Sequence, residues 1–279
     1  MRIGFITCVQ LGHDCIEAIH SIGGSFSLFV TLKDSRATTK SGRVYLDKIS
    51  KSSGTPLVKV SHINDKKSIE EIRRANLDWL FIVGWSQIAN SEVLALPRLG
   101  VLGMHPTLLP QGRGRASIPW AIMKGLSETG VTLFKLDNGV DTGPILGQIK
   151  IPIKRKETAT SLYKLIANGH CDLIKNVWLN NLIPDIISLR CQDDNNATIW
   201  PGRKPEDGQI LTVMSMEKID CIVRATTKPY PGAFFLNNNK KIIIWNGKMN
   251  FSFKKSDNSY TIPCSDGFYL ATEYEIESM

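Results

Sequence analysis

The stretch Gly103-Met-His105-Pro-Thr-Leu-Leu-Pro110 sets a histidine between a glycine and two prolines, and Asp137-Asn-Gly-Val-Asp141-Thr-Gly143 follows downstream. Prolines 106 and 110 fix φ and withhold two backbone donors, so this segment holds one loop shape and cannot join a sheet. Near neutral pH an imidazole donates one hydrogen bond and accepts another, which suits proton handling in a transfer between neutral groups. The Asn-Gly turn offers two carboxylates, Asp137 and Asp141, and either could cap the turn. Asp141 adjoins Thr142-Gly143, where the chain has room to approach a ligand closely. A carboxylate bonded to the imidazole would hold its tautomer and make it a better proton acceptor. His105 and Asp141 are therefore the expected catalytic pair. His13 lies near the end of the first apolar run and could face the same cleft. His20, His62 and His170 fall in helical or connecting segments and read as surface or core-edge residues.

Several chemistries are excluded by what surrounds these residues. No Gly-x-Ser-x-Gly elbow is present, and no cysteine is visibly paired with His105. Only Gly4 and Gly12 follow the first apolar run, and the Gly112/Gly114 pair has no strand before it and no acidic residue after it. A dinucleotide site is therefore not expected. The six cysteines (8, 15, 171, 191, 221 and 264) contain no CxxC pair, which argues against a zinc site or a disulfide framework, and no metal is expected. The formal net charge of +8 is dispersed through Lys33–Lys67, Lys150–Lys164 and Lys240–Lys255. Charge of this kind attracts a phosphorylated small molecule or maintains solubility, and a nucleic-acid partner is disfavoured. Apolar runs such as Trp79–Trp85 fall far short of the roughly 20 residues of a membrane span, so no membrane partner is expected. The first residues read directly as a strand with no cleavage pattern, which makes the cytoplasm the default location.

The elements that must hold the pair follow from hydrophobic periodicity. Short apolar runs at 3–9, 26–32, 57–60 and 79–85 alternate with helical spacing, notably at Ile16/Ile19 and 69–75. That alternation predicts an α/β fold, a mostly parallel sheet with helices on both faces, with ligands at the strands' carboxyl ends. A helix opened by Pro119 is expected over 117–125, strands over 129–136 and 145–152, and a long amphipathic helix over 158–178. Residues 193–208 are polar, contain Pro201 and Pro205, and read as a linker. Beyond Phe234, strands over 241–245, 250–254, 259–263 and 267–272 suggest a small β-barrel or meander. The expected division is a catalytic domain over 1–200 and a small β-rich domain over 201–279.

Residues 103–153 resemble the catalytic core of the folate-dependent formyltransferases. That family includes methionyl-tRNA, glycinamide ribonucleotide and sugar N-formyltransferases. The flanks are similar too: Asp78–Trp85 with Ile88 before the core, Arg203-Lys-Pro-Glu-Asp-Gly208 and Arg224-Ala-Thr-Thr-Lys-Pro-Tyr-Pro-Gly-Ala-Phe234 behind it. The last two blocks look most like members with a C-terminal β-domain. The resemblance implies a Rossmann-like N-terminal domain, 10-formyltetrahydrofolate as donor, a primary amine as acceptor, and no metal. The family's catalytic asparagine, histidine and aspartate carry over to Gly103, His105 and Asp141, so the first member is missing. Losing such an oxyanion donor costs on the order of 3 kcal/mol when nothing replaces it. A backbone N–H, a water, or a side chain such as Gln87 or Gln10 could substitute, or the function could have drifted.

By the same resemblance the folate would lie against Gly84, Trp85 and Gln87 and against the turn formed by Leu136, Asp137, Gly139, Val140 and Asp141, with Thr132 supporting the turn. Gln10, His13, Arg113 and Arg115 are the expected acceptor-binding residues; the arginines could face phosphates of the acceptor or the donor's glutamate tail, or stand as solvated charges. The short loop between Pro110 and Ser117 leaves little to wedge into an acceptor stem. The expected acceptor is therefore a nucleotide-linked amino sugar of the kind used in surface-glycan synthesis, handled by a possible homodimer. Methionyl-tRNA formylation remains an alternative. So does hydrolysis of the formylfolate, if Gly103 enlarges the pocket enough to admit water, and so does a non-catalytic binding module.

Overall fold

The computed structural model describes residues 1–36, 42–180, 182, 188–252 and 259–278. The first elements are β1 (Ile3–Ile6), α1 (Gln10–His20), β2 (Leu28–Leu32), α2 (Asp47–Ser53), β3 (Leu57–Val60), α3 (Lys66–Arg74), β4 (Trp79–Ile82), α4 (Ser91–Leu94) and β5 (Gly100–His105). Then come β6 (Arg113–Gly114), α5 (Ser117–Met123), β7 (Glu128–Lys135), β8 (Ile145–Pro152) and α6 (Ala159–Asn180). The remainder is β9 (Ile199–Trp200), β10 (Gln209–Ile210), α7 (Met216–Thr226), β11 (Ala233–Asn237), β12 (Lys240–Asn250), β13 (Tyr260–Cys264) and β14 (Gly267–Ser278). The chain forms two compact units, each discontinuous in sequence. One holds Met1–Arg113, Gly130–Lys150 and Ile166–Thr198, the other Gly114–Thr129, Ile151–Leu165 and Ile199–Met279.

The first unit is built on a seven-stranded sheet of order β3-β2-β1-β4-β5-β7-β8. Strands β1 to β5 are parallel, and β7 runs antiparallel to β5 with His105 opposite Thr132. The chain winds from β1 outward to β3, then returns to place β4 on the other side of β1. Such a reversal opens a crevice at the strands' carboxyl ends. Both faces of the sheet are covered because successive side chains point to opposite sides. Ile6, Val30, Leu80 and Ile82 pack with Ile69 and Ile72 of α3 and Val93 of α4. On the alternate positions Phe5, Phe29 and Phe81 form an aromatic layer with Phe26 and with Trp178 of α6. The parallel sheet with two helical faces is thus as the apolar runs predict. Helix α2 went unforeseen, since only Ile49 of it is buried and it has no apolar stripe to read.

The second unit carries a five-stranded sheet of order β10-β11-β12-β14-β13, packed on α7 through Ile219, Ile222, Ile242, Ile244 and Tyr269. The break expected between strands 241–245 and 250–254 is absent, and Asn246-Gly247 lies inside the long strand β12 at a register shift against β14. The reason is packing: a Cβ on Gly247 would fall 2.3 Å from the Tyr269 ring, so the glycine admits that ring rather than reversing the chain. The second half of the strand expected over 250–254 lies outside the described residues. No helix among the described residues is long and apolar enough to cross a membrane.

Candidate active site

His105 ends β5, and the loop after it is tied down by Thr132 on β7. The Thr132 hydroxyl donates to the Thr107 carbonyl (2.7 Å) and accepts from the Leu109 N–H (3.1 Å). Gln148 Nε2 adds donations to the Leu109 carbonyl (2.8 Å) and to the Thr132 hydroxyl (2.9 Å). Thr132 therefore supports the histidine loop, not the aspartate turn as the sequence suggested. His105 is buried, and its Nε2 lies 2.8 Å from the Gly112 carbonyl oxygen. A carbonyl can only accept, so Nε2 carries the hydrogen. That leaves Nδ1 facing Asp141 Oδ2 at 3.5 Å.

The two carboxylates of the turn divide their work. Asp137 Oδ1 accepts from the Gly139 N–H (3.0 Å) and the Thr142 hydroxyl (2.7 Å), so it is the turn-capping group. Of the two carboxylates either of which could cap the turn, Asp137 is the one that does. Asp141 adopts a left-handed φ of +56° and turns its side chain to His105. Gly143 closes the turn, since a Cβ there would lie 1.8 Å from the Lys135 carbonyl oxygen. Val140 at the tip is exposed.

Arg113 corrects a sequence expectation. It is buried, and its guanidinium donates to Gln192 Oε1 from Nε (3.1 Å) and Nη2 (2.8 Å) and to Asp194 Oδ1 (2.7 Å). A group so committed does not present itself to a phosphate. Gln192 in turn donates through Nε2 to the carbonyls of Asp141 (2.9 Å) and Gly143 (2.7 Å). Nothing in the sequence marked Gln192, which immediately precedes the segment that reads as a linker. Arg115 is exposed and belongs to the second compact unit.

At the end of β4, Gly84 has φ +64° and Trp85 is half-buried, its indole N–H enclosed without a hydrogen-bond partner among the described residues. The Gln87 amide is engaged within the fold on both sides. It accepts from the Ile63 N–H (2.9 Å) and donates to the Ser61 carbonyl (3.0 Å), joining the ends of β3 and β4. Gln10 and His13 stand on the first turn of α1. Gln10 Nε2 donates to Asp14 (2.6 Å), and His13 Nδ1 lies 3.7 Å from Glu17. Both side chains considered as stand-ins for the missing asparagine are thus engaged elsewhere. The place beside Gly103 is filled by Leu136, whose Cδ2 would be 2.6 Å from a Cβ at that position. An expected folate contact is here an apolar plug, packed also with Leu109, Phe134 and Ile145.

A second histidine lies near the first. His170 on α6 is fully buried, with Nδ1 2.8 Å from the Ile166 carbonyl. Burial, opposed by that hydrogen bond and reinforced by neighbouring His105, takes its pKa from 6.5 down to about 4.

With this geometry stand the similarities to known proteins. Residues 31–177 match the family profile described as formyl transferase, and residues 203–278 match formyl transferase, C-terminal domain. The first match alone spans more than half of the chain. The chain belongs to the formyl transferase family. It is 31% identical over 259 residues to the bifunctional polymyxin resistance protein ArnA of Wigglesworthia glossinidia brevipalpis, covering 92% of this chain but 39% of ArnA. The chain thus spans well under half the length of that curated relative. Among solved structures it resembles the N-formyltransferase from Helicobacter canadensis in complex with folinic acid and dTDP-3-aminofucose. There the TM-score is 0.72 at 18% identity, over 99% of this chain and 100% of that one. The methionyl-tRNA formyltransferase from Clostridium thermocellum gives 0.66 at 19%, over 100% of both chains. At such identities the likeness is one of fold.

Proposed function

We propose that the chain moves a formyl group from 10-formyltetrahydrofolate to the primary amine of a nucleotide-linked amino sugar. The observation that carries this reading is the His105–Asp141 pair, with Nε2 fixed on Gly112 and Nδ1 turned to the carboxylate, at the end of a central strand of a formyl transferase fold. The unprotonated amine attacks the formyl carbon, forming the new C–N bond and an oxyanion. His105 donates to that oxyanion through Nδ1 once the ring has taken up a second proton, and Asp141 balances the resulting imidazolium. Collapse breaks the bond from the formyl carbon to folate N10. The proton shed by the amine passes through Asp141, directly or by way of water, and N10 leaves protonated. The enclosed Trp85 N–H supplies a donor for the polar edge of the pterin, since a buried donor left unmatched costs roughly 1–3 kcal/mol.

Two observations bear on the acceptor. The Helicobacter relative was solved with a folate and a dTDP-amino sugar, and the charge of +8 suits a diphosphate. Leu136 beside Gly103 weighs against hydrolysis, because the place that would have to admit water is packed with an apolar side chain. The test is a panel of UDP- and dTDP-amino sugars, Met-tRNA, and donor alone. Formylation of a sugar is expected. Preferred turnover of Met-tRNA, release of formate without an amine, or no release at all would each replace this reading with one of its rivals.

A further inference from the structure

We infer that Gln192 is a positioning residue for Asp141, joining the loop that orients His105 to the turn that carries the carboxylate. The inference rests on the proposed reading of that pair as the reacting one. The polarity of the Gln192 amide is fixed by its four contacts. Its Oε1 accepts twice from Arg113, which has nothing to accept with, and its Nε2 donates to the carbonyls of Asp141 and Gly143, which have nothing to donate. The turn so held is one that needs holding. Asp141 is a non-glycine residue at φ +56°, a left-handed conformation that persists only where its surroundings impose it. The other end of the connector is equally specific, because Arg113 directly follows Gly112, whose carbonyl orients the His105 ring. His105, Gly112, Arg113, Gln192 and Asp141 therefore close a ring around the 3.5 Å gap between the two reacting groups. Gln192 is the joint in that ring that can be altered without touching either of them. Asp194, also on Arg113 but 83% exposed, sits at the solvent end and contributes little.

Gln192→Glu keeps an acceptor for Arg113 but turns a carboxylate oxygen against two carbonyls. Gln192→Met keeps the volume and removes both functions. Arg113→Lys keeps the charge, cannot grip Oε1 with two N–H groups, and supplies the measurement should the Gln192 variants not fold. The titratable groups facing the His105 ring are Asp141 from the turn and His170 from α6, and the latter stays neutral above about pH 4. Displacing Asp141 should therefore change what Nδ1 meets, read as altered ring NMR shifts of His105 at one fixed pH near 7. Alongside it, kcat should fall roughly 10- to 100-fold with KM for donor and acceptor changed less than about threefold. Asp194→Asn should leave both near wild type. Unaltered His105 ring shifts in the folded variants overturn the inference, whatever happens to kcat. Altered ring shifts in a protein that formylates nothing would instead overturn the formyl-transfer reading and leave the positioning role standing.

Discussion

Two buried histidines of the first unit make the instructive comparison. His105 at the mouth of β5 and His170 in the body of α6 each place one ring nitrogen 2.8 Å from a backbone carbonyl. They differ in what the rest of the ring meets. His105 turns Nδ1 to a carboxylate on a rigid turn, whereas His170 lies in a packed interior that depresses its basicity to about 4. Burial and one backbone hydrogen bond thus make a structural histidine. A second nitrogen aimed at a charge makes a chemical one.

The largest effect should separate the two. His105→Asn or Asp141→Asn is expected to lower kcat by roughly 100- to 10,000-fold with the fold intact. His170→Leu should cost less than about tenfold, since it would act only through packing behind the site. Retention of half the wild-type rate by either pair variant on the true amine would remove the pair from the mechanism. Near-complete loss in His170→Leu would remove the distinction between the two histidines.

The next effect concerns stability and pH. The folded pKa of His170 lies below the unfolded value of 6.5, so the unfolded chain takes up a proton that the folded chain refuses. Above pH 6.5 this group is without effect on stability. As pH falls from 6.5 towards 4 the unfolded state is progressively favoured, by about 3 kcal/mol once pH 4 is reached. His170→Leu should flatten the wild-type loss of stability in that window, measured by denaturant titration at a series of pH values. Equal slopes for variant and wild type would show that His170 protonates freely in the folded state.

Gly103 comes third. Gly103→Asn drives its side chain into Leu136, and activity should fall by more than about tenfold with a lower Tm, overpacking typically costing 1–3 kcal/mol. Adding Leu136→Ala opens the place and should recover most of the Tm, and the amide would then stand where the oxyanion forms. Normal stability of the single variant would mean that Leu136 yields readily and that the plug is not a fixed feature.

How far these details could be read in advance depended on whether they are local. Prolines 106 and 110 and the Asn138-Gly139 turn announce two shaped loops, and the apolar runs announce the strands that bring them to one sheet edge. The meeting of His105 and Asp141 follows from such signals. The plug at Gly103 does not. It needs the antiparallel register that sets Gly103 opposite Phe134, so that Leu136 arrives beside it two residues on. Arg113 read as facing a phosphate because its actual partners, Gln192 and Asp194, come from a polar stretch with no periodicity. The bonds of Gln87 were illegible for the same reason, as its partners at Ser61 and Ile63 lie across the sheet.

The smallest expected effect tests the division between the two carboxylates of one turn. Asp137 holds the Gly139 N–H and the Thr142 hydroxyl, and both contacts lie in exposed surroundings where a hydrogen bond contributes about 0.5–1.5 kcal/mol. Asp137→Ala should therefore lower stability by about 1 kcal/mol. Because Gln192 still clamps the far side of the turn at Asp141 and Gly143, kcat should fall only a few-fold, on the order of threefold. Restoring an acceptor with Asp137→Asn should recover the stability, since a neutral amide oxygen can serve both donors. A loss as large as that of Asp141→Asn would mean that the cap, not the clamp, sets the carboxylate's position. The roles assigned to Asp137 and Gln192 would then have to be exchanged.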